Sequence, residues 1–176
     1  MPELPEVETV MRGLSAVLMG HHFTSIECRR KDLRFALPKS MDATLRGKKI
    51  TGLSRRAKYI LIHFTGNKTL IVHLGMSGRM VIDDGSSPLQ KHDHVIFKTN
   101  KSGDRQTASL CERSPAASEH MIQIKFNDPR RFGMIDMVDT DKTHQHKLLK
   151  HLGGEPLEAA FTGAALHVKL KSKKIA

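Results

Sequence analysis

The sequence predicts a mainly β fold with flanking helices (α+β): an antiparallel β-sandwich of about eight strands, led by an N-terminal helix and followed by the start of a helical segment. Three observations carry that expectation. Apolar residues recur at three- and four-residue steps over the first twenty positions and again from about Lys142. Between them, short runs rich in Ile, Leu, Val, Thr and Phe are parted by Gly, Asn and charged clusters, which is the pattern of strands and turns. The length, 176 residues, suffices for one buried core with a small appendage.

The first element opens MPELPEVETV. Pro5 suits the first position of a helix, where its missing N–H is no loss, and Glu6 and Glu8 then fall in the first turn near the positive end of the dipole. Val7, Val10, Met11, Leu14 and Leu18 line one face, so the spacing predicts an amphipathic helix to about Gly20. The strands follow: HFTSIECRR, KKITGLSRR, KYILIHF, TLIVHLG, GRMVID, HDHVIFK, HMIQIKF and FGMIDMV. Residues 98–120 are polar and turn-rich with no clear period, and read as a long hairpin loop. From Lys142 a short helix to Leu152, a Gly-Gly break, a Glu-Pro start signal and a second apolar-periodic segment through Leu166 and Leu170 are expected.

Charge narrows the function. The chain holds 29 Lys and Arg against 18 Asp and Glu, a formal +11, which points to a polyanionic partner. With no Trp and one Tyr, stacking platforms for single strands are sparse, so phosphate contact is the expected source of affinity. Cys28 and Cys111 are far apart and lack Cys-x-x-Cys partners, so each reads as a free thiol, with neither a metal nor a disulfide framework encoded. No apolar run reaches the length of a membrane span and the N-terminus is acidic, so a soluble, intracellular protein is expected, with no membrane partner.

Pro2 is not explained by helix initiation. Removal of Met1 would present it as a terminal secondary amine, and an α-amino group has an ordinary pKa of about 7.7 to 8.0, so an appreciable fraction is neutral at physiological pH. Such an amine is a nucleophile toward carbonyl-like carbon and forms an iminium without an activating lysine. Glu3 beside it could carry the proton.

PELPEVET at the N-terminus, RRAKYI around Lys58, HLGMSGR from His73 to Arg79, KHDHV from Lys91 to Val95 and NDPRRFG from Asn127 to Gly133 together resemble the formamidopyrimidine-DNA glycosylases, bacterial enzymes that repair oxidised purines. Leu4 favours that branch over the related endonuclease VIII branch, which opens PEGPEI. The resemblance implies base-excision repair: removal of 8-oxoguanine and formamidopyrimidines, then AP-lyase cleavage through a Schiff base on Pro2. It implies Pro2, Glu3 and Lys58 as catalytic residues, with Glu6 ordering the terminus and Lys58, on the RRAKYI strand, acting near the phosphate during elimination. Met76, Arg130 and Phe132 match the side chains that fill the gap left by the extruded nucleotide. His73, His92 and Arg130 match positions that grip the backbone or the opposite strand, and Lys173 aligns loosely with a DNA-contacting lysine.

The same resemblance sets expectations for organisation. Residues 1–140 would form the catalytic sandwich and 141–176 the beginning of a helix-two-turns-helix domain, incomplete here. The family's C-terminal zinc finger, which binds one zinc, has no counterpart in this sequence, so no cofactor is expected in the chain. The partner implied is double-stranded DNA containing oxidised bases or abasic sites, met in the bacterial cytoplasm at the nucleoid by a monomer that could associate through an exposed C-terminal helix. Read without the family, Met76 is core, His73 and His92 are satisfied strand histidines, Asp128-Pro129-Arg130-Arg131 is an ordinary turn, and Lys58 is one more surface charge. A non-catalytic damaged-DNA-binding remnant and a half-enzyme needing a partner chain stand as alternatives to the enzyme.

Overall fold

A computed structural model describes residues 2–101, 122–155, 159 and 161–171. Helix α1 spans Leu4–Leu18, with Glu3 as its N-cap. It therefore starts one residue earlier than the sequence suggested: Pro5 is the second helical residue, and only Glu6 lies in the first turn. Val7, Leu14 and Leu18 are its buried face, as the spacing predicts, and they lie against the sheet formed by the next hairpins.

Among the described residues eight strands form two antiparallel four-stranded sheets. One contains β1 (His21–Cys28), β5 (Arg79–Asp83), β6 (Asp93–Lys101) and β7 (Ile122–Asn127) in the order β1-β6-β7-β5. The other contains β2 (Ile50–Arg56), β3 (Tyr59–Phe64), β4 (Lys68–His73) and β8 (Met134–Asp139) in the order β2-β3-β4-β8. Their facing sides share one core in which Phe23 stacks at 5.3 Å from Phe64 and 5.2 Å from Phe97, joining the two sheets through aromatic contact. β3 and β4 are also covered on their outer side, where Leu61 and Ile71 meet Leu148 and Leu149. Burial on both faces is why YILIHF and KTLIVH read as nearly continuous apolar runs rather than alternating ones.

Four expectations change. β6 continues through Lys101, so the first four residues of the predicted 98–120 loop are strand; the remainder, with Cys111, lies outside the described residues. A five-residue helix, α2 (Met41–Leu45), was not foreseen; Met41 and Leu45 bury into the core and Asp42 accepts the Ile26 N–H at 2.7 Å. The helix expected from Lys142 to Leu152 is a 3-10 helix over Thr140–Gln145 followed by turns, because Thr143 bonds back to the Thr140 carbonyl at 2.7 Å and Leu148 and Leu149 turn onto the sheet. The last described helix, α3 (Gly163–Lys171), covers the predicted segment through Leu166 and Leu170 but begins at Gly163, past the Glu-Pro start signal; Val168 and Leu170 lie open to solvent.

The strand register gathers the sequence motifs at one end of the sandwich. Tyr59 pairs with His73, and His73 pairs in turn with Met134, so the β2–β3 turn, the exit of β4 and the entry of β8 are neighbours. On the other sheet Asn127 pairs with both Arg79 and Asp93, bringing the start of β5, the start of β6 and the exit of β7 together. Residues 74–78 and 128–133 are two of the three crossovers between the sheets, the third being 29–49, and these two run over this end.

Candidate nucleic-acid interface and active site

The N-terminal segment is fixed by its own helix. Glu6 Oε2 accepts the Glu3 N–H at 2.7 Å, an interaction that ties the chain start to the first turn. Pro2 is half-buried and Glu3 exposed. Pro2 and Glu6 line an open cleft of about 490 Å³ whose opposite wall is made by Leu74, Met76, Ser77 and Arg79. The structure thus places Pro2 and the loop residue Met76 in the same hollow.

Lys58 is not on a strand. It occupies the second position of the two-residue turn between β2 and β3, where Arg56 pairs with Tyr59 and Ala57 takes a left-handed φ of +49°. The half-buried lysine lies close enough to His73 to act on it electrostatically. Burial, then the charges of Lys58 and Arg34, push the His73 imidazole below its ordinary pKa, so the ring is neutral near pH 7. Its Nδ1 accepts the Gly75 N–H at 3.0 Å, which leaves Nε2 to carry the proton and to donate. A neutral donor beside an ammonium suits a phosphate oxygen.

The two crossovers are locked together. Gly75 has φ +65°, and a Cβ there would stand 2.4 Å from the carbonyl carbon of Phe132, so only glycine lets the backbones meet. Asp128, fully buried, accepts the Ser77 hydroxyl at 2.5 Å on one oxygen and the Gly133 N–H at 2.7 Å on the other. Ser77 Oγ in turn accepts the Arg130 N–H at 3.2 Å. Out of this rigid base project Met76 and Phe132, 43% and 40% exposed. Exposed apolar side chains on two interlocked loops have the shape of wedges rather than of core. Arg130 lies over the Phe132 ring, its guanidinium carbon 4.9 Å from the centroid. With Arg34 and Arg131 it borders a second hollow beside Phe132.

His92 is half-buried, its ring 6.2 Å from that of His94 in an edge-on arrangement, and its carbonyl accepts the Asp128 N–H at 3.0 Å. His94 Nε2 bonds the Asp128 carbonyl at 2.8 Å, so the KHDHV segment braces the NDPRRFG loop. Of the residues singled out from sequence, Pro2, Glu6 and Met76 share a cleft, Lys58 neighbours His73, and Arg130 stacks on Phe132. Lys173 lies outside the described residues. Sequence reasoning passed over Ser77, Asp128 and Arg34. Asp before Pro within NDPRRFG is the one local signal for the first lock, being a turn-forming residue, whereas Arg34 is recognisable only from its position in space.

A basic end carrying paired apolar wedges and a neutral histidine donor suits contact with nucleic acid. Comparison with known proteins gives this a family. Residues 1–135 match the formamidopyrimidine-DNA glycosylase N-terminal domain, and the chain belongs to that family. It is 43% identical over 182 residues to the formamidopyrimidine-DNA glycosylase of Dinoroseobacter shibae, an alignment covering 98% of this chain and 57% of the relative. The Bartonella henselae enzyme is 41% identical, with 99% and 58% covered. Among solved structures, Lactococcus lactis formamidopyrimidine-DNA glycosylase non-covalently bound to DNA containing an AP site superposes with a TM-score of 0.77 at 30% identity, covering 97% of this chain and 58% of that one. The same enzyme with DNA containing FAPY-dG gives 0.77 and 30%, with 97% and 57% covered. The chain spans a little over half the length of the curated relatives it matches.

Proposed function

We propose that this chain carries the catalytic half of a base-excision repair enzyme, a DNA glycosylase with AP-lyase activity toward oxidised purines in duplex DNA. The observation that carries the reading is the cleft shared by Pro2, Glu6 and Met76, because it sets a nucleophilic amine beside a wedge that would hold a nucleotide out of the stack. Support also comes from the solved relatives, which were captured on DNA containing an AP site or FAPY-dG.

The chemistry follows from the residues. The neutral nitrogen of Pro2 attacks C1′ of the damaged nucleotide, and the glycosidic C–N bond breaks with its electron pair going to the departing base. Glu3 takes the proton that the Pro2 nitrogen sheds on bonding to C1′ and passes it to the sugar ring oxygen as the ring opens, leaving an iminium between Pro2 and C1′. The iminium acidifies C2′; loss of that proton and departure of the 3′ phosphate with the C3′–O electron pair cleave the strand. Lys58 and the His73 Nε2–H act at the phosphate. Water then hydrolyses the imine and restores the amine. His92 and Arg130 hold the backbone or the orphaned partner base, and Phe132 and Met76 fill the space vacated.

Among the described residues no group of three or more His, Cys, Asp and Glu is placed to hold a metal. In this reading residues 1–140 form the catalytic unit and 141–176 open a second, helical one. The protein works as a monomer on chromosomal DNA in the bacterial cytoplasm.

Borohydride trapping tests the reading. Protein freed of Met1 is incubated with a duplex carrying an abasic site or 8-oxoguanine opposite cytosine. A covalent adduct that disappears in Pro2→Gly is the expected result. Absence of an adduct on the abasic duplex, from folded protein, would refute the catalytic reading and leave damaged-DNA binding without turnover.

A further inference from the structure

The turn that carries Lys58 is held by residues remote in sequence. Ala57 adopts a left-handed backbone, a conformation disfavoured for residues with a Cβ, and the turn offers no Gly or Asn to take it instead. Its N–H donates to Glu155 Oε1 and its carbonyl accepts from Arg55 Nη1 at 2.9 Å. Arg55 Nη1 also meets Glu155 Oε2 at 3.0 Å, and its Nε donates to Glu8 Oε2 at 2.8 Å. Arg56 closes the array on Glu155 Oε1 at 3.3 Å and on the Gly153 carbonyl.

This is not a surface ion pair. Glu155 is 7% exposed, and the Arg55 side chain is nearly as enclosed. Burial pushes the Glu155 carboxyl up, but the Ala57 N–H and the two arginines more than offset it and hold the group below the ordinary carboxylate range. For Glu8, the bonds from Arg55 and Arg12 do the same. Buried arrays of this kind demand accurate geometry, and removing one member leaves its partners uncompensated. The array also has direction: Glu8 lies on α1, whose leading end is Pro2, and Glu155 grips the turn that presents Lys58.

We infer that Arg55 and Glu155 are positioning residues that fix the Lys58 turn relative to the helix led by Pro2, so that the elimination step depends on Glu155 while imine formation does not. The inference rests on the functional reading above, since it concerns the step assigned to Lys58. A purely structural array would be felt equally by both steps.

The test uses the full chain and an abasic-site duplex, comparing wild type with Glu155→Ala, which removes the acceptor, and Glu155→Gln, which keeps an acceptor for the Ala57 N–H but loses the charge. Three quantities are read: amide exchange at Ala57, the yield of borohydride-trapped imine, and the single-turnover rate of strand cleavage. In Glu155→Ala, Ala57 exchange is expected to quicken at least tenfold (~) with β3 and β4 amides unchanged, and the ratio of cleaved strand to trapped imine to fall by about tenfold. Glu155→Gln should lie between. A cleavage-to-imine ratio equal to that of wild type overturns the inference, as does unchanged Ala57 exchange. If Glu155→Ala does not fold, the ratio in Glu155→Gln decides. A wild-type chain that traps no imine would instead refute the functional reading, while Ala57 exchange still decides whether Glu155 grips the turn.

Discussion

Replacing Asp128 with alanine should uncouple the two wedge loops, and the size of the effect can be worked from the contacts. The carboxylate accepts the Ser77 hydroxyl and the Gly133 N–H at 2.5 and 2.7 Å in a fully buried site. A hydrogen bond to a charged group contributes about 1.5 to 3 kcal/mol, so losing two removes about 3 kcal/mol at the least. In a chain of this size each kcal/mol moves the melting temperature by roughly 2 to 4 °C, giving a fall of roughly 6 to 12 °C. Asp128→Asn should fall less, because the amide oxygen still accepts the Gly133 N–H and the Ser77 hydroxyl can turn to accept from the new NH₂. The assay is thermal melting alongside binding to a duplex with an abasic-site analogue, where Asp128→Ala should weaken binding beyond its loss of folded protein. A melting point within about 2 °C of wild type for Asp128→Ala would refute the lock.

The other predictions separate wedge tips from their base. Met76→Ala and Phe132→Ala should melt within about 2 °C of wild type, since nearly half of each side chain is already in water, yet bind the lesion duplex about tenfold more weakly; a large melting change would show that they are core. Gly75→Ala should destabilise by more than about 1 kcal/mol, because its backbone is left-handed and its Cβ would collide with Phe132; unchanged melting would contradict the close approach. Acid should weaken the fold before carboxylates titrate. Burial pushes the His63, His73 and His146 pKa values down, so as pH falls through about 6.5 the unfolded chain takes up protons that the folded rings refuse. Stability is then full above that value and declines below it, toward the lowered folded values; a melting temperature flat from about pH 7.5 to 5.5 would contradict this.

Much of the fold is written locally. The apolar face of α1 and the eight described strands are legible locally, although β5 has no buried residue and β3 and β4 are covered on both faces. Where sequence misled, tertiary contacts decide the matter. RRAKYI contains no Gly, Asn or Pro, so nothing local announces a turn at Lys58; the left-handed Ala57 is stabilised by Glu155, 98 residues away. α2 is only five residues long, too short for a periodic signal, and Met41, Leu45 and Asp42 secure it through contacts across the chain. The candidate site divides in the same way. Pro2, Met76, Arg130 and Phe132 stand out through motifs, but Asp128, Ser77 and Arg34 acquire their places only when the crossovers meet.

That division has a mechanical meaning. The tips of the site are exposed and contribute little to the core, so their chemistry can be judged separately from folding. Their bases are the reverse: Gly75 against Phe132, Asp128 between Ser77 and Gly133, and the Arg55–Glu155 array under Lys58 are closely packed and hydrogen-bonded. Each base joins segments that belong to different sheets or to different ends of the chain, so none can shift alone. A nucleotide held out of a duplex pushes back with the energy of lost stacking, a few kcal/mol. Only a wedge whose base is part of the folded core can hold against that load, because yielding would require breaking contacts that also stabilise the sandwich. At Gly75 and Asp128 the site's precision and the stability of this end of the fold therefore rest on the same interactions, and substitutions there should impair both.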